Sequence, residues 1–255
     1  MRAAAEAVPE PDRPELLLIV EDDALHRSFL RATVEEILPD RATVIEAVDG
    51  VAAIEAAQAR SPTLVVMDLQ MPNGTGVDAA KHIWRLKPDT RILFWSNYAD
   101  EAYVRGVARI VPPEAVYGYV LKSASEDRLR LAMRGVFLED QCVVDREVRG
   151  VQQRAVDRAE GLTDAEYEVL IDLALGLTDK AMAARRGLSL RGAQSRLHHL
   201  YEKLGLEPAV GGDGGPAFNS RTRAIFVAFS RGLVNVDALQ VSDRELGAWL
   251  GRRGD

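Results

Sequence analysis

The chain has 255 residues, enough for one large domain or two ordinary ones. Hydrophobic residues make up 47% and charged residues 28%, which suits a globular chain with ample core material; the longest strongly apolar runs, such as Leu16–Val20 and Leu64–Met67, are strand-sized and exclude a membrane-spanning helix. The net charge of −7 argues at first against a nucleic-acid partner, but the excess acid lies before Gly161, and from there on 12 basic residues balance 12 acidic ones.

The opening MRAAAEAVPEPDRP lacks the apolar stretch of a secretory signal, and its prolines and acids read as a disordered lead-in over residues 1–14. From there to residue 139, β-rich runs alternate with helical patterns. Strands are predicted at Glu15–Val20, Ala42–Ala47, Thr63–Met67, Arg91–Trp95 and Tyr117–Leu121. Helices are predicted between and after them at Ala24–Leu38, Gly50–Arg60, Gly76–Lys87, Asp100–Arg109 and Glu126–Leu138. Five such repeats imply an α/β domain over 15–139, a doubly wound five-stranded parallel sheet with helices on both faces. Trp84 and Trp95 are assigned to packing.

Residues 140–160 are charged and weakly periodic, and are read as a linker. They hold Cys142, the only cysteine, which permits neither an internal disulfide nor a cysteine metal cluster and fits a reducing cytoplasm. From 161 to 234 the pattern is wholly helical, with helices over Thr163–Leu175, Thr178–Arg186, Ser189–Leu204 and Ser220–Gly232, each opened by a Ser or Thr. Thr163 and Glu166 form a capping box. A Gly/Pro-rich loop, EPAVGGDGGPAFN, separates the last two helices. The tail over 235–255 is expected to hold one short helix, with Ser242 and Glu245 as a second capping box.

In a doubly wound fold the carboxyl ends of the strands meet along one edge. Glu21, Asp22 and Asp23 follow the first strand, Asp68 the third, Ser96 the fourth and Lys122 the fifth. Three carboxylates brought together repel unless a cation sits among them, and hard oxygen ligands suit Mg²⁺. A lysine and a serine hydroxyl add the donors a phosphoryl group requires. The set fits phosphoryl transfer to Asp68 as nucleophile. Asp23 is read as a helix N-cap rather than a ligand.

The stretches LLLIVEDD, LVVMDLQMPNGTG, ILFWS and GYVLK, spread over residues 16–138, resemble the receiver domain of two-component response regulators. That resemblance implies that Glu21 and Asp22 help hold Mg²⁺, that Asp68 takes phosphate from a sensor histidine kinase, and that Gln70 offers a backbone carbonyl to the metal. It also implies that Ser96 and Tyr119 couple phosphorylation to a surface change. The chain departs from the family at VARIVPPEAVYGYVLK, where Pro112–Pro113 stands in place of a small-residue turn.

Residues 162–231 resemble the helix-turn-helix of the LuxR/NarL family through LTDAEYEVLIDLALGLTDKAMAARRGLSLRGAQSRLHHLYEKLGL and SRTRAI. Between Arg185 and Lys203 five basic residues face Glu202 alone, so a neutral domain carries a local positive cluster able to neutralise phosphates. A helix over Ser189–Leu204 would enter the major groove, with Arg191, Gln194, Ser195 and His198 as exposed base-edge candidates and Arg185, Arg186 and Lys203 completing the DNA-binding set. Ala193, Leu197, Leu200 and Leu204 follow helical spacing as core. Two departures are Gly192, where the family often has Thr, and the long Gly211–Gly215 loop before a helix that commonly makes the family's dimer contact.

Together these readings predict a phosphorylation-controlled DNA-binding transcriptional regulator, whose partners are a cognate histidine kinase, double-stranded promoter DNA and a second copy of itself, with no membrane involvement. Its receiver would catalyse only its own phosphoryl transfer and dephosphorylation. The alternative is a phosphorylation-independent DNA-binding regulator with a vestigial receiver used for protein contacts.

Overall fold

The structure, a computed structural model, describes residues 14–156, 161–206 and 217–252. The predicted lead-in falls almost wholly outside these residues, and so does the Gly211–Gly215 loop.

The strands are β1 (Glu15–Val20), β2 (Ala42–Ala47), β3 (Leu64–Met67), β4 (Arg91–Ser96) and β5 (Tyr117–Leu121), joined by a short β6 (Val143–Val144). They form one sheet in the order β2-β1-β3-β4-β5-β6, and each neighbouring pair is parallel. The interleaved helices are α1 (Ala24–Ile37), α2 (Gly50–Arg60), α3 (Gly76–Leu86), α4 (Glu101–Ile110) and α5 (Glu126–Leu138). Alternate strand residues point to opposite faces. Leu17, Ile19, Leu64, Val66, Leu93, Trp95 and Val120 pack with Leu30 and Val34 of α1 and with Leu129, Met133 and Val136 of α5. The other set, including Leu18, Val65, Met67, Phe94 and Tyr119, is fully buried as well. Burial on both faces explains why the strands read as continuous apolar runs.

The sixth strand was not predicted. It contributes only two residues, too short for an alternating pattern to register. Helix α6 (Arg146–Val156) follows it inside the predicted linker. Among its described side chains Val148 and Val151 are buried, an i, i+3 pair, and the charged residues around them made the segment read as a linker. The Pro112–Pro113 segment is a tight turn, closed by Ala115 N–H donating to Pro112 O at 3.1 Å, with Pro113 in the second position that proline favours.

The C-terminal helices are α7 (Asp164–Ala174), α8 (Asp179–Arg185), α9 (Leu190–Lys203), α10 (Ser220–Ser230) and α11 (Val236–Gly251). Thr163, Thr178 and Ser189 cap α7, α8 and α9 through side-chain oxygens, and Thr163 and Glu166 form the predicted capping box. Leu162, Tyr167, Leu170, Met182, Leu197, Leu200, Ala224 and Leu246 share one core. The tail differs from expectation. It is one helix of 16 residues capped by Asn235, and Ser242 lies inside it. Asn235 accepts from Ala238 N–H at 2.9 Å, so the helix starts seven residues before the Ser242–Glu245 pattern suggested.

The chain divides into two units. One holds the residues up to Asn97 together with Ile110–Asp145, and the other holds Tyr98–Arg109 together with the residues from Arg146 onward. The second therefore includes most of α4, which the predicted boundary at 139 had placed in the first. The reason lies in the polar side of that helix. Arg105, 7% exposed, donates to Leu162 O and lies 3.3 Å from Asp164 and 5.1 Å from the centre of the Tyr167 ring. Arg109 reaches the same ring at 5.2 Å, and Tyr103 donates its hydroxyl to Asp237. Amphipathic spacing located the helix but could not show that its arginine was matched to the start of α7.

Candidate phosphoacceptor pocket and nucleic-acid face

Parallel pairing brings the ends of β1, β3, β4 and β5 to one edge of the sheet. Asp68 follows β3, and its Oδ1 accepts the backbone N–H of Leu69 at 2.6 Å and that of Gln70 at 3.4 Å. Its Oδ2 lies 2.8 Å from Lys122 Nζ. Lys122 also reaches Glu21, at 3.0 Å from Oε1 and 2.8 Å from Oε2. Glu21 and Asp68 are buried while Asp22 is exposed. Burial raises the Glu21 carboxyl above its ordinary value, and the Asp68 charge adds to this, while the Lys122 contact opposes it. Burial alone would lower the Lys122 ammonium, but hydrogen bonds to Asp68 and Glu21 more than reverse this and raise it.

A glycine fixes the loop beneath Asp68. A Cβ on Gly76 would stand 2.0 Å from the Asp68 carbonyl oxygen, so α3 can begin where it does only without a side chain. Gly76 N–H also donates to Leu69 O at 2.9 Å, which closes the loop. Ser96, at the end of β4, is fully buried, and its carbonyl accepts the backbone N–H of Lys122 at 2.9 Å. Tyr119 is also fully buried, 6.0 Å from Phe94 between ring centres.

Ligand atoms of Glu21, Asp22 and Asp68 lie within 4.8 Å of one another. Glu21 Oε2 is buried and makes no directed hydrogen bond among the described residues, although Lys122 Nζ is close. A hard divalent cation fits this oxygen set. Asp23 instead caps α1, accepting His26 N–H at 2.8 Å. Gln70 is exposed beside Asp68.

Helices α8 and α9 form a helix-turn-helix pair within the second unit. Arg191, Gln194, Ser195 and His198 are all exposed and share one face of α9 at i, i+3, i+4, i+7 spacing. Ala193, Leu197, Leu200 and Leu204 are buried on the other face. The remaining basic residues of the predicted set have partners within the domain. Arg185 donates to Asp172 Oδ1 at 2.8 Å, and Arg186 grips the same carboxylate with bonds of 2.7 and 2.8 Å. Asp172 is completely buried. Lys203 bonds Glu166 at 2.8 Å and Gly161 O at 2.9 Å.

The family model for the response regulator receiver domain matches residues 17–134. The transcriptional regulatory protein YdfI of Bacillus subtilis is 32% identical over 229 residues, covering 87% of this chain and 98% of that protein. The oxygen regulatory protein NreC of Staphylococcus carnosus is 30% identical, covering 75% and 91%. The chain belongs to the response-regulator family. The fold of this regulator also resembles that of RcsB from Salmonella enterica serovar Typhimurium, solved bound to a promoter with a phosphomimetic, at a TM-score of 0.56 and 19% identity over 87% of this chain and all of that one.

Several residues of the regulator's sites escaped sequence reasoning. His26 lies on the first turn of α1, with Nδ1 3.3 Å from Glu21 and 3.4 Å from Lys122 Nζ. Its spacing behind the Asp23 cap was the available signal. Trp95, assigned to packing, also places its ring centre 5.0 Å from Lys122 Nζ. Asp172 was visible as a lone acid inside the apolar run VLIDLAL. Asp145 gave no signal beyond its place after two valines.

Proposed function

We propose that Asp68 accepts a phosphoryl group from a sensor histidine kinase and that phosphorylation controls promoter binding by α9. The carrying observation is Lys122 Nζ placed 2.8 Å from both the Asp68 and the Glu21 carboxylates at the ends of three different strands. Three buried charges meeting at a sheet edge add little as a stability device, because desolvation offsets much of their attraction. They suit a site where charge appears and disappears.

In this reading an Asp68 carboxylate oxygen attacks phosphorus, the bond from phosphorus to the kinase imidazole breaks, and the imidazole leaves with a proton. Lys122 holds the arriving negative charge, and the Ser96 hydroxyl donates to it when the buried end of β4 shifts. Glu21, Asp22, Asp68 and the Gln70 carbonyl would hold Mg²⁺. When bound, the ion offsets charge on the transferred oxygens. Phosphorylation and its hydrolytic reversal are the receiver's only chemistry. Tyr119, packed against Phe94, carries the change away from the pocket.

Arg191, Gln194, Ser195 and His198 face DNA, while Arg185, Arg186 and Lys203 brace the scaffold that presents α9. Homodimerisation uses α10, whose Phe226 is 58% and Phe229 42% exposed, with Arg223 stacked 4.9 Å from the Phe226 ring centre.

The test is a salt-dependent promoter titration with and without beryllofluoride and Mg²⁺, using Asp68→Asn as control. The reading predicts tighter binding on activation in the native chain and no response in Asp68→Asn. Equal affinity in both native states would instead favour a regulator with a vestigial receiver.

A further inference from the structure

We infer that Asp145, outside the five long strands, is a positioning residue for Lys122, acting through the end of β5. Asp145 stands between β6 and α6 and is buried. Its backbone N–H donates to Tyr119 O at 2.9 Å, continuing the β5–β6 ladder by one bond. The ladder's backbone pairing then ends, but Leu121 still presents an N–H on that edge. Asp145 Oδ2 accepts it at 2.9 Å, so a side-chain carboxylate replaces the next strand carbonyl.

The adjoining Lys122 N–H points to the opposite edge and donates to Ser96 O at 2.9 Å. The Leu121–Lys122 segment is thus held from both sides, by Asp145 and by Ser96. The other Asp145 oxygen accepts Arg128 Nε of α5 at 2.8 Å, which stops the carboxylate rotating away. Lysine is a flexible four-carbon stem, so where its ammonium lands depends on how firmly its backbone is fixed. Lys122 has to meet two carboxylates at once, and Asp145 fixes one side of the strand end from which it starts.

This inference rests on Lys122 being a phosphoryl-binding group, and the test separates the two. Beryllofluoride with Mg²⁺ is titrated into the full chain and followed by tryptophan fluorescence, with Trp95 beside Lys122 as the responding residue. Asp145→Ala is expected to weaken binding roughly tenfold, the effect of losing about one well-placed hydrogen bond. Asp145→Asn keeps a carbonyl acceptor for Leu121 but turns an amide donor toward Arg128, and is expected to lose less than Asp145→Ala, within about threefold of native. Exchange of the Leu121 amide, fast in Asp145→Ala and slow in Asp145→Asn, reads the same bond without metal or beryllofluoride. If Lys122→Ala abolishes binding while Asp145→Ala matches native, or if the Ala and Asn variants lose equally, the positioning role is overturned. If Lys122→Ala itself leaves binding unchanged, the pocket reading fails instead. Should Asp145→Ala not fold, Arg128→Ala decides: a weakened titration supports the role, and a native one overturns it.

Discussion

Replacing Asp172 with alanine tests the division of labour among the arginines near α9. The Asp172 side chain is 0% exposed, and Arg185 and Arg186 beside it are 7% and 19% exposed. The substitution removes three charge-assisted hydrogen bonds and leaves Arg185 buried with, among the described residues, only the Ser242 carbonyl, at 3.1 Å. Breaking a buried ion pair from one side costs about 3–5 kcal/mol, chiefly through the charge left without its counter-ion. Against a domain stability of about 5–15 kcal/mol this is a large fraction. At about 4 °C per kcal/mol for a domain near this size, even the low end lowers the melting midpoint by about 12 °C. Hydrogen exchange in peptides spanning 164–203 reads this unit apart from the sheet, and protection there should fall by two orders of magnitude or more, roughly 1.4 kcal/mol per tenfold. Native protection in Asp172→Ala would refute the reasoning.

Arg191→Ala should behave oppositely, leaving exchange unchanged while weakening promoter binding and, where Arg191 meets a phosphate, lowering the slope of log affinity against log salt by about one. Gly76→Ala should abolish beryllofluoride binding, because its Cβ overlaps the Asp68 carbonyl, whereas Gly247→Ala in exposed α11 meets nothing within 4 Å and should stabilise by about 0.5–1 kcal/mol; a titration and a melt of each variant check this. For Glu166, burial alone would raise the carboxyl, but Lys203 and the Thr163 cap bring it below its ordinary 4.5. A depressed carboxyl stabilises the fold above the unfolded value and loses that contribution as pH falls through the folded one. Glu166→Gln should therefore be less stable than native at neutral pH, by about 1 kcal/mol, and the gap should close as pH drops below 4.5.

The sheet and the pocket were legible because each left a local signature. Strands buried on both faces give unbroken apolar runs, and the pocket residues fall directly after those runs, so the fold rule alone gathers Glu21, Asp68, Ser96 and Lys122 at one edge. The face of α9 was legible in the same way, since 3.6-residue spacing separates Leu197 and Leu200 from Arg191 and Gln194. What stayed hidden depended on partners distant in sequence. No periodicity announces that a basic residue pairs with a buried acid, as Arg185 and Arg186 do with Asp172. Likewise β6 is two residues long, and the acid that ends it acts through a side-chain bond to Leu121, 24 positions earlier.

The placement of Lys122 gives a physical reason for joining a receiver to an output in this way. The chain leaves the sheet unit after Asn97, returns at Ile110 and leaves again after Asp145. The residues at or next to both exits are hydrogen-bonded to the same short segment: Ser96 O accepts Lys122 N–H, and Asp145 accepts Leu121 N–H. A ligand shifts an equilibrium only through contacts that differ between two states. In the proposed reading, a phosphoryl group on Asp68 would change what Lys122 Nζ is bonded to, and strain on its backbone would fall on bonds made by residues at or next to both exits. In that reading, the carboxyl end of β5 is therefore where a change at Lys122 bears on bonds made by residues at or next to both exits from the sheet unit.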